Sequence, residues 1–274
     1  MSAGFGQSRV VYTDAMHTPS EIEQTANRNK DAVALVTGAS AGIGAAVAQA
    51  LLHQGFRVAA CARRLDKLTE VLKEADPDQT RSLAIATDMR DISQIEQMFA
   101  QIRETWGGVN VLINNAGLGH NAPLLSGDPE MWREMLDLNV LALCVCTKEA
   151  VADMRRMGDK GHVIHIGSMS GHRVPGGSGV YSATKFAVRS LTEGLRTELR
   201  GLSSAIRVGC ISPGFVETEF AERYHKSAEK AAETYSRFKV LESKDIADAV
   251  LFLLNSPEHM QVHDVLIRPT AQPS

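Results

Sequence analysis

From Asp31 onward the chain repeats one unit: a short apolar run, a turn, an amphipathic stretch, and then the same again. The apolar runs cover residues 32–37, 57–62, 82–87, 109–113, 162–166, 206–211 and 262–267. They are rich in β-branched and small residues and lack the polar alternation of a half-exposed strand. That pattern predicts strands buried on both faces of a parallel sheet. Helical periodicity fills the intervals at 44–53, 65–74, 92–105, 131–157, 181–202 and 244–255. Strict strand–helix alternation implies right-handed crossovers and an α/β, Rossmann-type doubly wound sheet with helices on both faces. An eight-unit barrel is the alternative. Seven predicted strands, and the glycine-rich turn after the first, favour the open sheet.

Composition narrows the function classes. A chain of 274 residues with 44% hydrophobic and 22% charged residues can build a large core unaided. A formal net charge of −3 leaves no basic footprint for nucleic acid or an anionic membrane surface. The longest apolar stretch, 138–146, is far short of the ~20 residues of a membrane span. Residues 1–9 lack the apolar region of a signal peptide. Residues 1–30 are polar and aperiodic, and they read as an arm appended to a single domain over 31–274. Cys61, Cys144, Cys146 and Cys210 form no CxxC pair and no metal-ligand spacing. Buried thiols in a reducing, cytoplasmic setting are the expectation, with no metal. Cys144 and Cys146 lie two apart on a helix and so diverge.

The first predicted strand runs into Thr37-Gly38-Ala39-Ser40-Ala41-Gly42-Ile43-Gly44 and then an Ala-rich helix. Glycines there permit a tight turn, close approach of backbone to a pyrophosphate, and helix–sheet packing. The helix start offers free N–H groups to phosphate. A dinucleotide site follows. At the end of the second strand, where an acidic residue would meet a ribose 2′-hydroxyl, the chain has Ala62-Arg63-Arg64. Guanidinium groups match a 2′-phosphate by charge and fork geometry, so the predicted cofactor is NADP(H).

Tyr181 and Lys185 are four apart in Tyr-Ser-Ala-Thr-Lys and share a helix face. A free phenol titrates near pH 10. A neighbouring ammonium would lower that value toward the working range of a general acid/base. Ser168 closes the fifth strand at the carboxyl edge of the sheet, where its hydroxyl can donate to a substrate oxygen.

With these motifs on view, the chain over about 32–268 resembles the short-chain dehydrogenase/reductase family. The TGxxxGxG turn, Asp88 (with Met89 beside it), Asn114-Asn115-Ala116-Gly117, Asn139, Ser168, Tyr181, Lys185, and Pro213-Gly214 with Val216 and Thr218 match its pattern in order and spacing. The resemblance implies a catalytic set of Asn139, Ser168, Tyr181 and Lys185, with Asn139 holding a proton-relay water and Lys185 also meeting the nicotinamide ribose. It implies cofactor contacts at Gly38, Ser40, Ala41, Gly42, Ile43, Gly44, Arg63, Arg64, Asp88, Met89, Asn115, Ala116, Gly117, Tyr181, Lys185, Pro213, Gly214, Val216 and Thr218. It also implies a homodimer or homotetramer built on helices 131–157 and 181–202. Gly167-Ser168-Met169-Ser170-Gly171-His172-Arg173-Val174 and the Arg268-Pro269-Thr270 tail resemble a narrower subgroup of NADP(H)-dependent keto- and hydroxysteroid reductases and insect farnesol dehydrogenases.

The expected reaction interconverts a carbonyl and an alcohol on a lipophilic or medium-sized small molecule. Ser168, Met169, His172, Tyr181 and Phe215 are the substrate candidates, with Val174, Gly176 and Gly177 near the mouth. His172 is either a second acid/base or a hydrogen-bonded spacer. Residues 215–240 read as a substrate lid, or as two short packed helices. Two other functions remain open: an NADPH-binding sensor without turnover, and a 3-oxoacyl thioester reductase. The intact Ser168, Tyr181 and Lys185 weigh against the first. The Met-Ser-Gly-His-Arg-Val segment weighs against the second.

Overall fold

The structure, a computed structural model, describes residues 30–273. The arm expected over residues 1–30 therefore lies, Lys30 apart, outside the described residues. Val33–Thr37 (β1) is buried at every position, as a central parallel strand requires. Its pleat splits the core: Ala34 and Val36 enter one layer, Val33 and Leu35 the other. The remaining strands are β2 (Arg57–Ala62), β3 (Ser82–Ala86), β4 (Val111–Asn114), β5 (His162–Ile166), β6 (Arg207–Pro213) and β7 (Asp264–Ile267). All pairings are parallel, in the order β3-β2-β1-β4-β5-β6-β7. This is the predicted doubly wound seven-stranded sheet.

One face carries α1 (Gly42–His53), α2 (Leu65–Ala75) and α9 (Ser243–Asn255), whose Val47, Leu51, Leu68, Ile246 and Leu253 pack with Val36, Val58 and Ile164. The other carries α3 (Ile92–Trp106), α5 (Ala142–Arg156) and α6 (Gly179–Gly201), bringing Ile95, Phe99, Ile102, Cys146, Met154 and Leu199 onto Leu35, Leu112 and Val163. Each such side chain contributes about 1.5–3 kcal/mol when fully buried. Local chemistry sets the helix limits. Asp91 caps α3 by accepting from the Ser93 and Gln94 amides, and Gly107 ends it at φ 87°. Glu242 and Asp245 form a capping box at the start of α9.

The structure corrects several sequence expectations. Strand β4 begins at Val111, two residues after the expected 109, and the helices expected from 44 and 181 begin two residues earlier, at Gly42 and Gly179. Strand β6 runs on to Pro213, two residues past the predicted end, and β7 begins at Asp264 rather than at 262. The single helix expected over 131–157 is divided into α4 (Pro129–Leu136), a π-helical turn (Asp137–Leu141) and α5. The wider turn turns the Asn139 side chain inward, where its amide nitrogen donates to Leu118 O at 2.8 Å and Thr184 Oγ1 at 3.0 Å. Segment 215–240 holds two short helices, α7 (Phe220–His225) and α8 (Ala228–Ser236).

Strands β1 and β4 are neighbours, yet the crossover from β1 leads outward to β2 and β3 before the chain returns to β4. The connections therefore diverge at the carboxyl ends of these two strands and leave a crevice there. Among the described residues no helix is long and apolar enough to cross a membrane, and no cluster of His, Cys, Asp and Glu could hold a metal ion.

Burial of two histidines on β5 gives the fold an acid limit. His162 and His165 are both held down to about 3, by desolvation first, then by Arg207 beside the one and by Arg196 and Lys185 beside the other. Between the ordinary value of 6.5 and that level, the unfolded chain binds protons that the folded chain refuses. Their contribution is complete above 6.5 and is lost as the pH falls toward 3. We expect urea denaturation to show about 2 kcal/mol less stability near pH 5.5 than near pH 7. His162→Leu should remove roughly half of that pH dependence.

Candidate active site

The crevice opens into a cleft of about 850 Å³ that collects the ends of β1 to β6 and the segment after β6. Two hydrogen-bonded turns form its floor. Thr37 Oγ1 accepts from the Asn115 and Ala116 amides at 3.0 and 2.9 Å, and Asn115 Nδ2 donates back to Thr37 O at 2.8 Å and Gly38 O at 3.2 Å. Gly38 has φ +68°, and a Cβ there would lie 2.9 Å from Ala116 Cα. Gly42 has φ +58°, with Thr218 Cγ2 3.0 Å from where its Cβ would be. Both positions therefore require glycine. Helix α1 begins at Ala41 with no side-chain cap, and Ala41, Gly42 and Ile43 face the cleft. Its first amides thus present a positive helix end to the cavity.

At one end of the cleft stand Ser40, Arg63, Arg64, Thr87, Asp88 and Met89. Arg90 clamps the Asp88 carboxylate, its Nε 3.1 Å from Oδ1 and its Nη2 2.7 Å from Oδ2, and this hydrogen bonding holds the Asp88 pKa down. The Thr87 hydroxyl is buried in the cleft wall without a partner among the described residues.

At the other end are Ser168, Tyr181 and Lys185. Ser168 lies just beyond β5 and caps the short 3-10 turn Met169–Gly171, its Oγ accepting from the Ser170 amide at 3.0 Å. Tyr181 and Lys185 lie on the first turns of α6 and are buried. Lys185 Nζ donates to Ile166 O at 3.0 Å and sits 5.9 Å from the centroid of the Tyr181 ring. Above Tyr181 lie Phe220 and Tyr224 of α7, with ring centroids 5.5 and 6.3 Å away. Gly119 makes room for these rings: a Cβ there would be 2.7 Å from Phe220 Cζ.

Desolvation dominates the charges at this end. The Tyr181 phenol is pushed up to about 12 by burial, against a hydrogen bond with Ser168 that lowers it. The Lys185 amine is pushed down to about 8, also by burial. The structure thus departs from the expected phenol held low by its lysine. The ammonium is spent on a main-chain carbonyl, and the ring is closed off from water.

Most of the predicted positions come together in this cleft. Gly38, Ser40, Ala41, Gly42, Ile43, Arg63, Arg64, Asp88, Met89, Asn115, Ala116, Gly117, Ser168, Met169, Tyr181, Lys185, Pro213, Gly214, Phe215, Val216 and Thr218 all line it. Three do not. Gly44 lies behind the turn, where a Cβ would press on the Asn115 amide and come 2.5 Å from Gly38 O. Asn139 lies beneath the wall, its Oδ1 accepting from the Leu118 amide at 2.9 Å. His172 turns away from the cleft, with Nε2 3.2 Å from Asp264 Oδ2 beside Arg189. Gly176 reaches the cleft, while Val174 and Gly177 do not.

Sequence reasoning missed Glu219, Gln272 and Arg173, which also line the cleft. Gln272 Oε1 accepts from the Phe215 amide at 3.1 Å and so ties the chain's last residues to the start of the predicted lid. Glu219 ion-pairs with Arg64 and Lys67, at 2.9 and 2.6 Å, and with Arg223. Nothing in the local sequence of these residues marks them. Their partners are 57 to 155 residues away for Gln272, Lys67 and Arg64.

The short chain dehydrogenase family profile matches residues 32–229. Dehydrogenase/reductase SDR family member 11 of Bos taurus is 49% identical over 251 residues, which cover 89% of this chain and 98% of the relative. Farnesol dehydrogenase of Aedes aegypti is 40% identical over 246 residues, 88% of this chain and 96% of its own. The solved closed form of serine dehydrogenase complexed with NADP+ superposes with a TM-score of 0.83 at 34% identity, covering 88% of this chain and 96% of that one. An alcohol dehydrogenase from Thermococcus sibiricus, complexed with 5-hydroxy-NADP, gives a TM-score of 0.78 at 28% identity over 89% and 99%.

Because burial raises the Tyr181 phenol, the ligand-free protein should show no phenolate from this residue below about pH 10. The ultraviolet difference titration of wild type against Tyr181→Phe measures it directly. A phenolate component near neutral pH would contradict the burial argument.

Proposed function

This chain belongs to the short-chain dehydrogenase/reductase family, and we propose that it interconverts a carbonyl and an alcohol with NADP(H), using Tyr181 as the proton donor and acceptor. The observation that carries the reading is the meeting of Ser168, Tyr181 and Lys185 in one cavity with the uncapped start of α1 and with Arg63 and Arg64. When bound, NADP(H) supplies or accepts the hydride at the substrate carbon.

The residues present fit such a cofactor. Gly38 and Gly42 of the turn leave no room for a Cβ, and the uncapped start of α1 faces the cleft. They would hold the pyrophosphate. Arg63 and Arg64 would take a 2′-phosphate, the unpartnered Thr87 hydroxyl and Asp88–Met89 the adenine, and Asn115–Gly117 the middle of the dinucleotide. Pro213, Gly214, Val216 and Thr218 would border the nicotinamide, with Lys185 beneath its ribose. The solved relatives named with NADP+ and 5-hydroxy-NADP support this choice.

In reduction, the Tyr181 hydroxyl gives its proton to the carbonyl oxygen while the Ser168 hydroxyl donates a hydrogen bond to the same oxygen. Carbon gains the hydride, oxygen gains the phenolic proton, and an alcohol results. A phenol held at about 12 is fully protonated at neutral pH, which is the form that reduction consumes. In oxidation the deprotonated Tyr181 oxygen takes the proton of the alcohol hydroxyl. Asn139 acts as a positioning residue by fixing the Leu118 main chain beside these groups. Phe220 and Tyr224 over Tyr181, with Met169, Leu118 and Phe215 on the walls, suit a lipophilic or medium-sized substrate. The name of the Aedes aegypti relative points the same way. α7 and α8 serve as the lid that excludes water. Leu136, Leu141 and Phe186 remain exposed along α4, the π-helical turn and α6, an apolar face that a second copy would cover.

The test is turnover followed by absorbance at 340 nm, with NADPH or NADH and a panel of steroid ketones, α-dicarbonyls, aromatic aldehydes, farnesal and an acetoacetyl thioester. We expect NADPH-dependent reduction of an apolar carbonyl. Tyr181→Phe should lower kcat by about 10²–10⁴-fold. Turnover that survives Tyr181→Phe would overturn the assignment, and a thioester far ahead of every free ketone would replace the substrate class.

A further inference from the structure

Glu219 already pairs with Arg64, one of the two arginines that the preceding reading gives to a phosphate. It lies on the cleft wall after β6, immediately before Phe220, and is the residue from which α7 starts. Its carboxylate gathers three cations: Arg64 Nη2 at 2.9 Å, Lys67 Nζ at 2.6 Å, and the Arg223 guanidinium. Arg64 Nη2 also donates to Ser40 Oγ at 3.2 Å, in the first turn of the dinucleotide site. The donors of Arg64 that face the cleft are thus divided between a hydroxyl of the phosphate-binding turn and a carboxylate of the lid. The cluster holds the Glu219 carboxyl at about 2, chiefly through its hydrogen bond from Lys67, so the anion persists at any working pH.

We propose that Glu219 is an internal competitor for the cofactor's 2′-phosphate, and that the phosphate takes Arg64 and Lys67 by displacing it from them. The inference rests on the NADP(H) reading above. A dianionic phosphate and a carboxylate repel each other, and one guanidinium edge does not serve both with full geometry. A nucleotide with a free 2′-hydroxyl brings no such charge and leaves the ion pairs in place. Displacement has a mechanical consequence, because the next residue is Phe220, whose ring lies against Tyr181. Arrival of the phosphate at one end of the cleft therefore frees the start of the helix that covers the other end. Glu219 is a specificity-determining residue in this sense. It lowers the affinity of the basic cluster for phosphate and couples that affinity to the lid.

The experiment is equilibrium binding of 2′,5′-ADP and of 5′-AMP, two probes that differ only in the 2′-phosphate, to wild type, Glu219→Gln and Arg64→Ala. The amide keeps the shape of Glu219 and removes its charge. Exposed ion pairs of this kind are each modest, so we expect Glu219→Gln to bind 2′,5′-ADP about threefold tighter or more, with 5′-AMP unchanged. Hydrogen exchange over α7 in wild type should quicken with 2′,5′-ADP and not with 5′-AMP. Unchanged or weaker 2′,5′-ADP binding by Glu219→Gln would overturn the competitor role, as would equal tightening of both probes. Equal exchange with both probes would overturn the coupling to the lid. Comparing the two probes on wild type and on Arg64→Ala separates this inference from the reading beneath it. If wild type binds the two probes equally, the 2′-phosphate assignment itself fails; if Arg64→Ala discriminates them as wild type does, the phosphate does not use Arg64 and the competitor role fails with it.

Discussion

The hydrogen bonds between the turns after β1 and β4 hold the site together. Thr37 accepts from two successive amides of the Asn115–Ala116 turn, and Asn115 returns its own amide to Thr37 and Gly38. Two adjacent parallel strands whose connections leave in opposite directions would otherwise expose several unpaired main-chain groups to the crevice, each costing about 1–3 kcal/mol if buried unmet. Closing these bonds requires that nothing stand between the turns. Gly38 and Gly44 meet that demand, because a Cβ at either would collide with the opposite turn or with its own. With the floor closed in this way, α1 starts against it without a side-chain cap, and its first amides present a positive helix end to the crevice.

The reactive end obeys a different rule. Tyr181 and Lys185 both move toward their neutral forms, the phenol up and the amine down, because burial outweighs their attraction. Lys185 gives one of its three N–H groups to Ile166 O and stands 5.9 Å from the centroid of the Tyr181 ring. The protein by itself therefore stores a proton on Tyr181 and does not poise a base there. In the proposed reaction, reduction would draw on that stored proton at once, whereas oxidation would need further positive charge near the phenol to lower it.

What could be read from the sequence follows how locally each feature is determined. Strands β1, β2, β4, β5 and β6 were legible because central parallel strands are apolar on both faces, whereas the edge strands β3 and β7 are only part-buried and were legible from their place in the strand–helix alternation. The turn at Thr37–Gly44 was legible because backbone geometry restricts the residue type. The split of the predicted helix at Asn139 was not, since a π-helical turn has no propensity signature and arises here from the pull of Leu118 and Thr184. His172 was placed at the mouth by its nearness in sequence to Ser168, whereas the short turn at Met169–Gly171 carries it round to Asp264. Glu219 and Gln272 were invisible for a stricter reason. Each acts through a partner brought close only by the finished fold.

These two residues also show how rigid and yielding parts are divided. The floor of the cleft is made of strand ends with no exposure at Val36, Ile113 and Ile211, and opening it would break the sheet. The roof is α7 and α8, short helices fastened at the margin by ion pairs whose members are a third or more exposed, and by the Tyr235 hydroxyl donating to Thr218 O at 3.1 Å. Exposed ion pairs contribute about 0–1 kcal/mol each, so the roof can open at a small fraction of the cost of unfolding the floor. Substitutions in Phe215–Tyr235 would then change which molecule is admitted without disturbing Ser168 and Tyr181. On the proposed reading, the proton-handling groups stand on the rigid side, beside β5 and on α6, and the choice of substrate falls to the roof, so that reaction class would carry across relatives of this fold where substrate does not.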